Sequence, residues 1–166
     1  KPKENIPAGT VVMYADGGAI NNPGPGGYGV VMNCDGDRQE LSGGYNHTTN
    51  NRMEIMACIA GLSALKKQSR VILFSDSKYV VNAVNEGWLQ NWQRRQWRRN
   101  GRVVDNADLW LQLVPLLQKH DVEFRWVKGH GGKSENERCD QLAKTAARQE
   151  NLPPDPGYGD GPDLFS

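Results

Sequence analysis

The chain has 166 residues, of which 37% are hydrophobic and 23% charged, and its 20 basic and 19 acidic side chains leave a net charge of +1. This is the composition of one soluble globular domain long enough to bury a real core, and it excludes disordered, fibrous and uniformly polybasic proteins. The uninterrupted apolar runs span only a few residues against the ~20 needed to cross a bilayer, so no membrane span is expected.

The opening KPKENIPAGT lacks the apolar stretch of a secretory signal, and residues 1–9 read as a flexible N-terminal segment. Residues 10–150 read as the folded domain. Thr10 to Ala15 is a strand ending at Asp16 and the turn-rich GGAINNPGPGG. Tyr28 to Asn33 is a second strand, Cys34 to Arg38 a glycine-containing hairpin turn, and Gln39 to Tyr45 a third strand. Thr48 to Asn51 is a polar cap run before a helix over Arg52 to Lys67, where Ile55, Ile59, Leu62 and Leu65 form an apolar stripe together with Cys58. Val71 to Phe74 is apolar without alternation, as in a strand covered on both faces, and a short helix from Ser77 to about Glu86 follows, stopped by Gly87.

Next comes WLQNWQRRQWRRNGR, which carries Arg94, Arg95, Arg98, Arg99 and Arg102 and no acid, leaving the rest of the chain at −4. A helix is expected from near Asn106 with Leu109, Leu113 and Leu116 or Leu117 on its apolar side, bent or interrupted by Pro115. Val122 to Val127 is a fifth strand, KGHGGKSEN a glycine-rich loop, and Glu135 to about Glu150 a final helix. Residues 151–166, rich in proline, glycine and aspartate, read as a flexible tail. Three antiparallel strands followed by alternating helix and strand imply an α/β fold, a five-stranded mixed sheet with helices on both faces. Cys34, Cys58 and Cys139 are odd in number and irregularly spaced, so free buried or half-buried thiols in a reducing compartment are expected rather than disulfides or zinc.

If the first and fourth strands are parallel neighbours, Asp16 and Asp76 stand together at their carboxyl ends, the edge where open α/β sheets bind ligands. Asp76 also fits a helix-cap role beside Ser75 and Ser77, Glu54 fits a favourable charge in a first helical turn, and Asp140 fits a solvated helical acid. Convergence of such acids would cost ~4 kcal/mol per pair at 4 Å with an effective dielectric of 20, which a divalent cation would relieve. All-oxygen ligands suit Mg²⁺ or Mn²⁺ and disfavour zinc.

The motifs ADGGAINNPGPGGYG, TTNNRMEIMA, FSDSKYV, WLQNWQRRQW and WVKGHGGKSENERCDQLA, in this order and at these separations, resemble type 1 ribonuclease H of the bacterial kind, from about Val11 to Ala147. The resemblance implies an endoribonuclease that hydrolyses the RNA strand of RNA/DNA hybrids and leaves 5′-phosphate and 3′-hydroxyl ends; a monomer is expected, and the free thiols point to a cytoplasmic location. It also implies that Asp16, Glu54, Asp76 and Asp140 hold two Mg²⁺ ions, Asp16 bridging both. His130, in KGHGGK, matches the family's auxiliary histidine, suited to shuttling a proton or loosening product.

For the substrate, Asn22, Asn50 and Asn51 match family positions that contact backbone and 2′-hydroxyls across the minor groove, although turn and cap chemistry suits asparagine equally. Thr49 and Asn106 match a pocket for a DNA-strand phosphate some two nucleotides away. The arginine segment matches a basic handle in which Trp88, Trp92 and Trp97 interleave with Arg94, Arg95, Arg98 and Arg99 to pack on deoxyribose and neutralise phosphate. Departures from the family pattern are Ala15, Gly18, His47 and Lys78, none of them a metal ligand in that pattern. Two other classes remain at this point: a non-catalytic hybrid-binding module, and a branched-DNA nuclease on the same scaffold.

Overall fold

The structure is a computed structural model and describes residues 6–129 and 134–159. Five strands form one mixed sheet: β1 (Val11–Ala19), β2 (Gly24–Cys34), β3 (Asp37–Thr48), β4 (Arg70–Ser75) and a last strand (Asp121–Trp126), β7 in chain order. Their spatial order is β3-β2-β1-β4-β7, antiparallel through β3, β2 and β1 and parallel from β1 to β4 to β7. A separate two-stranded ribbon lies in the arginine segment, β5 (Arg98–Arg99) paired antiparallel with β6 (Arg102–Val103).

The helices are α1 (Asn50–Ser63), α2 (Lys78–Asn85), α3 (Trp88–Arg94), α4 (Ala107–Lys119) and α5 (Ser134–Ala147). They cover both sheet faces, because alternate positions of neighbouring strands meet different helices. A Cβ on Gly17 would strike the Met53 backbone of α1, whereas one on Gly29 would strike the Cys139 carbonyl of α5. Ile55, Cys58, Ile59 and Leu62 of the anticipated α1 stripe are all buried, with Met13, Val30, Leu73, Trp110 and Leu113 against or near them. Each large apolar side chain so removed from water contributes roughly 1.5–3 kcal/mol before entropy is counted.

Several boundaries differ from the sequence reading for physical reasons. β1 and β2 run on through glycines that look like turn signals, since both pair across Asp16↔Gly29, Gly17↔Tyr28 and Gly18↔Gly27. The hairpin turn between β2 and β3 is only two residues, Asp35 and Gly36, both at positive φ. Pro115 does not interrupt α4. It lies on the exposed side, where the carbonyl of Leu111 that loses its partner can turn to water, while Leu109, Trp110 and Leu113 hold the buried side.

The expected flexible tail is corrected over 151–159. The Asn46 amide donates to the Pro153 carbonyl, and Asp155 is buried against Arg52 and Thr48. Proline and glycine suggested disorder, but here they let a short segment lie flat on the domain. All three cysteines are free, Cys58 and Cys139 buried and Cys34 half-buried. Among the described residues, no helix is long and apolar enough to cross a membrane.

Candidate active site

The parallel pairing of β1 with β4 ends at Ala15↔Ser75, so Asp16 and Asp76 each stand one residue beyond it, side by side. Asp76 is not spent on capping: the Ser77 hydroxyl takes that role, accepting from the Val80 amide at 3.2 Å. The Trp126 indole donates to the Asp76 carbonyl at 3.0 Å, which ties this corner to the end of β7. Glu54 arrives from α1 because Gly17 lets the helix backbone approach so closely that any side chain there would meet Met53 at 2.4 Å. The Gly17 amide then donates both to the Asp16 carboxylate, at 3.0 Å, and to that of Glu54.

As a result Asp16, Glu54 and Asp76 each offer a carboxylate oxygen within 4.8 Å of the others'. Asp140, on α5, lines the same cleft of about 320 Å³ but stands outside this trio and pairs with Lys144 at 2.9 Å. His130 lies outside the described residues.

Crowding shows in the acidities. Burial first, then the negative charge of Asp76, raises the Asp16 carboxyl to about 7. Burial first, then the charges of Asp16 and Asp76, pushes Glu54 well above the usual carboxylate range. A buried, mutually repelling set of oxygen donors fits a hard divalent cation, which would stabilise the charged forms that burial disfavours.

A carboxyl that holds its proton more tightly when folded supports stability below about pH 4, and that contribution is lost as pH rises to about 7. Without divalent cation, Asp16→Asn should therefore raise the unfolding free energy at pH 8 by on the order of 2–4 kcal/mol. The gain should shrink at pH 5, and thermal melts at both pH values check it.

Around the cleft, the Asn50 side-chain oxygen accepts from the Ala19 amide at 2.7 Å, and that of Asn22 accepts from the Asn50 amide at 2.9 Å. Among the described residues, these two contacts engage only the side-chain oxygens. Thr49 caps α1 by accepting from the Arg52 amide, which leaves its hydroxyl proton to donate. Thr49, Asn50, Asn51 and Asn106 line a second cavity of about 910 Å³, and Asn51 and Asn106 also border a third of about 900 Å³ beneath the arginine segment.

In that segment Arg94, Arg95, Arg98 and Arg99 are exposed and Trp88 is 39% exposed, whereas Trp92 is half-buried on Trp110. Trp97 is a correction: at 8% exposure it belongs to the core, with its carbonyl accepting from the Val104 amide, so it anchors the ribbon instead of facing substrate. Sequence reasoning missed Arg52 and Asp155, and it gave no role to Trp126. The one signal for the first was an arginine amid the apolar face of a helix.

Residues 8–148 match the family model described as RNase H. The chain belongs to the RNase H family. It is 54% identical over 92% of its length to a Ribonuclease H of Syntrophus aciditrophicus, covering 88% of that protein. It is 49% identical over 90% of its length to a Ribonuclease HI of Synechocystis sp., covering 95% of that one. Among solved structures, LC9-RNase H1, described as a type 1 RNase H with the type 2 active-site motif, is similar at 34% identity. That match has a TM-score of 0.75 and spans 87% of this chain and 74% of the other.

Proposed function

We propose that Asp16, Glu54, Asp76 and Asp140 hold two divalent cations, Mg²⁺ or Mn²⁺, and that the ribonuclease H activity of this chain depends on them. The activity is hydrolysis of the RNA strand of an RNA/DNA hybrid, to 5′-phosphate and 3′-hydroxyl ends. The observation that carries the reading is the convergence of Asp16, Glu54 and Asp76 within 4.8 Å at the open edge of the sheet of an RNase H family member. When bound, a pair of such ions stabilises the attacking and leaving oxygens of an in-line phosphoryl displacement. The carboxylates are ligands and not general bases. Asp140 completes the set from α5 by leaving Lys144, an exposed pair of small net worth. His130, which lies outside the described residues, moves a proton or helps product leave, so its loss slows turnover without ending it.

Substrate is held on either side. Asn22, Asn50 and Asn51 offer amides to the minor groove and its 2′-hydroxyls, which distinguish the RNA strand. Thr49 and Asn106 receive a DNA-strand phosphate. Trp88, Trp92, Arg94, Arg95, Arg98 and Arg99 form the handle, which supplies sequence-independent and salt-sensitive affinity. The chain acts as a monomer, and in the cytoplasm, a location supported by its three free thiols.

The test is a panel of labelled RNA/DNA, RNA/RNA, DNA/DNA, single-stranded RNA and branched DNA, each with magnesium and with chelator. Cleavage confined to RNA/DNA and to magnesium is expected. Cleavage that persists in chelator, or that falls on branched DNA instead, would overturn the reading.

A further inference from the structure

Arg52 is 2% exposed, and each of its five N–H donors has a partner. Nε donates to Asp155 at 2.7 Å, and Nη2 to Asp155 at 3.0 Å and to Asp108 at 2.5 Å. Nη1 donates to Asp108 at 2.7 Å and to the Asn106 side-chain oxygen at 3.4 Å. Asp155 arrives from the segment 151–159, where the Gly157 amide donates to it at 3.3 Å and its second oxygen also accepts from the Thr48 hydroxyl at 2.7 Å. Gly157 lies so close beneath that a Cβ there would fall 1.7 Å from Asp108 Oδ2 and 2.6 Å from Arg52 Nη2. Pro156, Gly157 and Tyr158 form one wall of the cavity that contains Thr49 and Asn106, and Tyr158 rests against the His47 ring with centroids 5.4 Å apart.

We propose that the C-terminal segment 151–159 is a strap that, through Asp155 and Arg52, sets the Asn106 amide to donate into this cavity, so that the strap governs the grip on a DNA-strand phosphate. The proposal rests on the reading of that cavity given above. Asn106 stands at the start of α4 at φ +62° without capping it by its side chain, so the amide is free for another task. Arg52 takes its oxygen, the Tyr79 hydroxyl accepts one of its N–H groups at 3.1 Å, and the other N–H is left for the cavity. Arg52 is a positioning residue, not the phosphate's counter-charge: with Asp108 and Asp155 its network carries a net negative charge. Anion binding here therefore comes from aimed neutral donors, Thr49 and Asn106, and collapses if the amide is free to turn over.

The test uses the full chain and RNA/DNA hybrids in which one DNA-strand phosphate at a time is replaced by a neutral methylphosphonate. In the unaltered protein one position should raise KM about tenfold, the worth of a hydrogen bond to a charged group, with kcat within about twofold. Gly157→Ala, which pushes the strap off Asp108, should raise KM about fivefold on the normal hybrid and shrink the penalty at that position to under about twofold. Asp155→Asn serves as the second variant, keeping the shape of the acid while weakening its hold on Arg52. A variant that folds and keeps the full penalty overturns the strap's role. If Thr49→Ala and Asn106→Ala keep it as well, the reading of the cavity itself fails, and the strap's role with it.

Discussion

Asp76→Asn is expected to lower kcat on an RNA/DNA hybrid by on the order of 10³-fold while leaving hybrid affinity within about threefold. The amide has the same shape, so the neighbourhood should survive: Ser77 keeps the α2 cap, and the Trp126 indole bonds only to the backbone of residue 76. What is lost is one of three charges converging within 4.8 Å, and with it a ligand oxygen. In the binding mode proposed above, affinity comes mainly from elsewhere, from the exposed arginines and the cavity around Thr49 and Asn106. Single-turnover cleavage beside equilibrium binding in magnesium measures both quantities. Cleavage near that of the unaltered protein would remove Asp76 from the ligand set.

Arg52→Ala is expected to cost about 3–5 kcal/mol of stability, because it strands two acids, one of them buried. Asp155 is the more exposed to this loss. Burial alone would raise its pKa, but hydrogen bonds from Arg52 and Thr48 and the nearby positive charge hold it below the usual carboxylate value. In a chain of this size the melting temperature should fall by roughly 10 °C or more. Arg38→Ala is the control, since the Arg38 pairs with Glu40 and Glu135 lie at the surface and should barely move the melt. Denaturant midpoints of both variants at pH 7 check the contrast.

How much of this was legible in the sequence depends on what each feature rests on. The strand VILFS and the helix over TTNNRMEIMA declare themselves by apolar pattern and cap residues, so the α1 stripe followed from local chemistry. The adjacency of Asp16 and Asp76, by contrast, hung on β1 and β4 being parallel neighbours, a long-range pairing that the sequence offered only as a condition. The arrival of Glu54 depends on a close backbone approach at Gly17, and a glycine in a turn-rich stretch looks the same whether it turns the chain or admits a helix. The role of Arg52 was hidden because its partners, Asp108 and Asp155, lie 56 and 103 residues away. Trp97 misled for the opposite reason: flanked by arginines in sequence, it turns inward at a positive φ of 61° and packs into the core. Composition likewise suggested a loose tail where one buried aspartate pins the chain down.

A cation site made by crowded carboxylates underlies the proposed activity, and calorimetric titration of Mg²⁺ into the protein near pH 7 tests it most directly. Saturable binding is predicted, with protons released to the buffer as Asp16 gives up the one it holds with a pKa of about 7, and with the binding heat lost in Asp16→Asn. Absence of Mg²⁺ and Mn²⁺ binding, or binding that Asp16→Asn leaves unchanged, would contradict it.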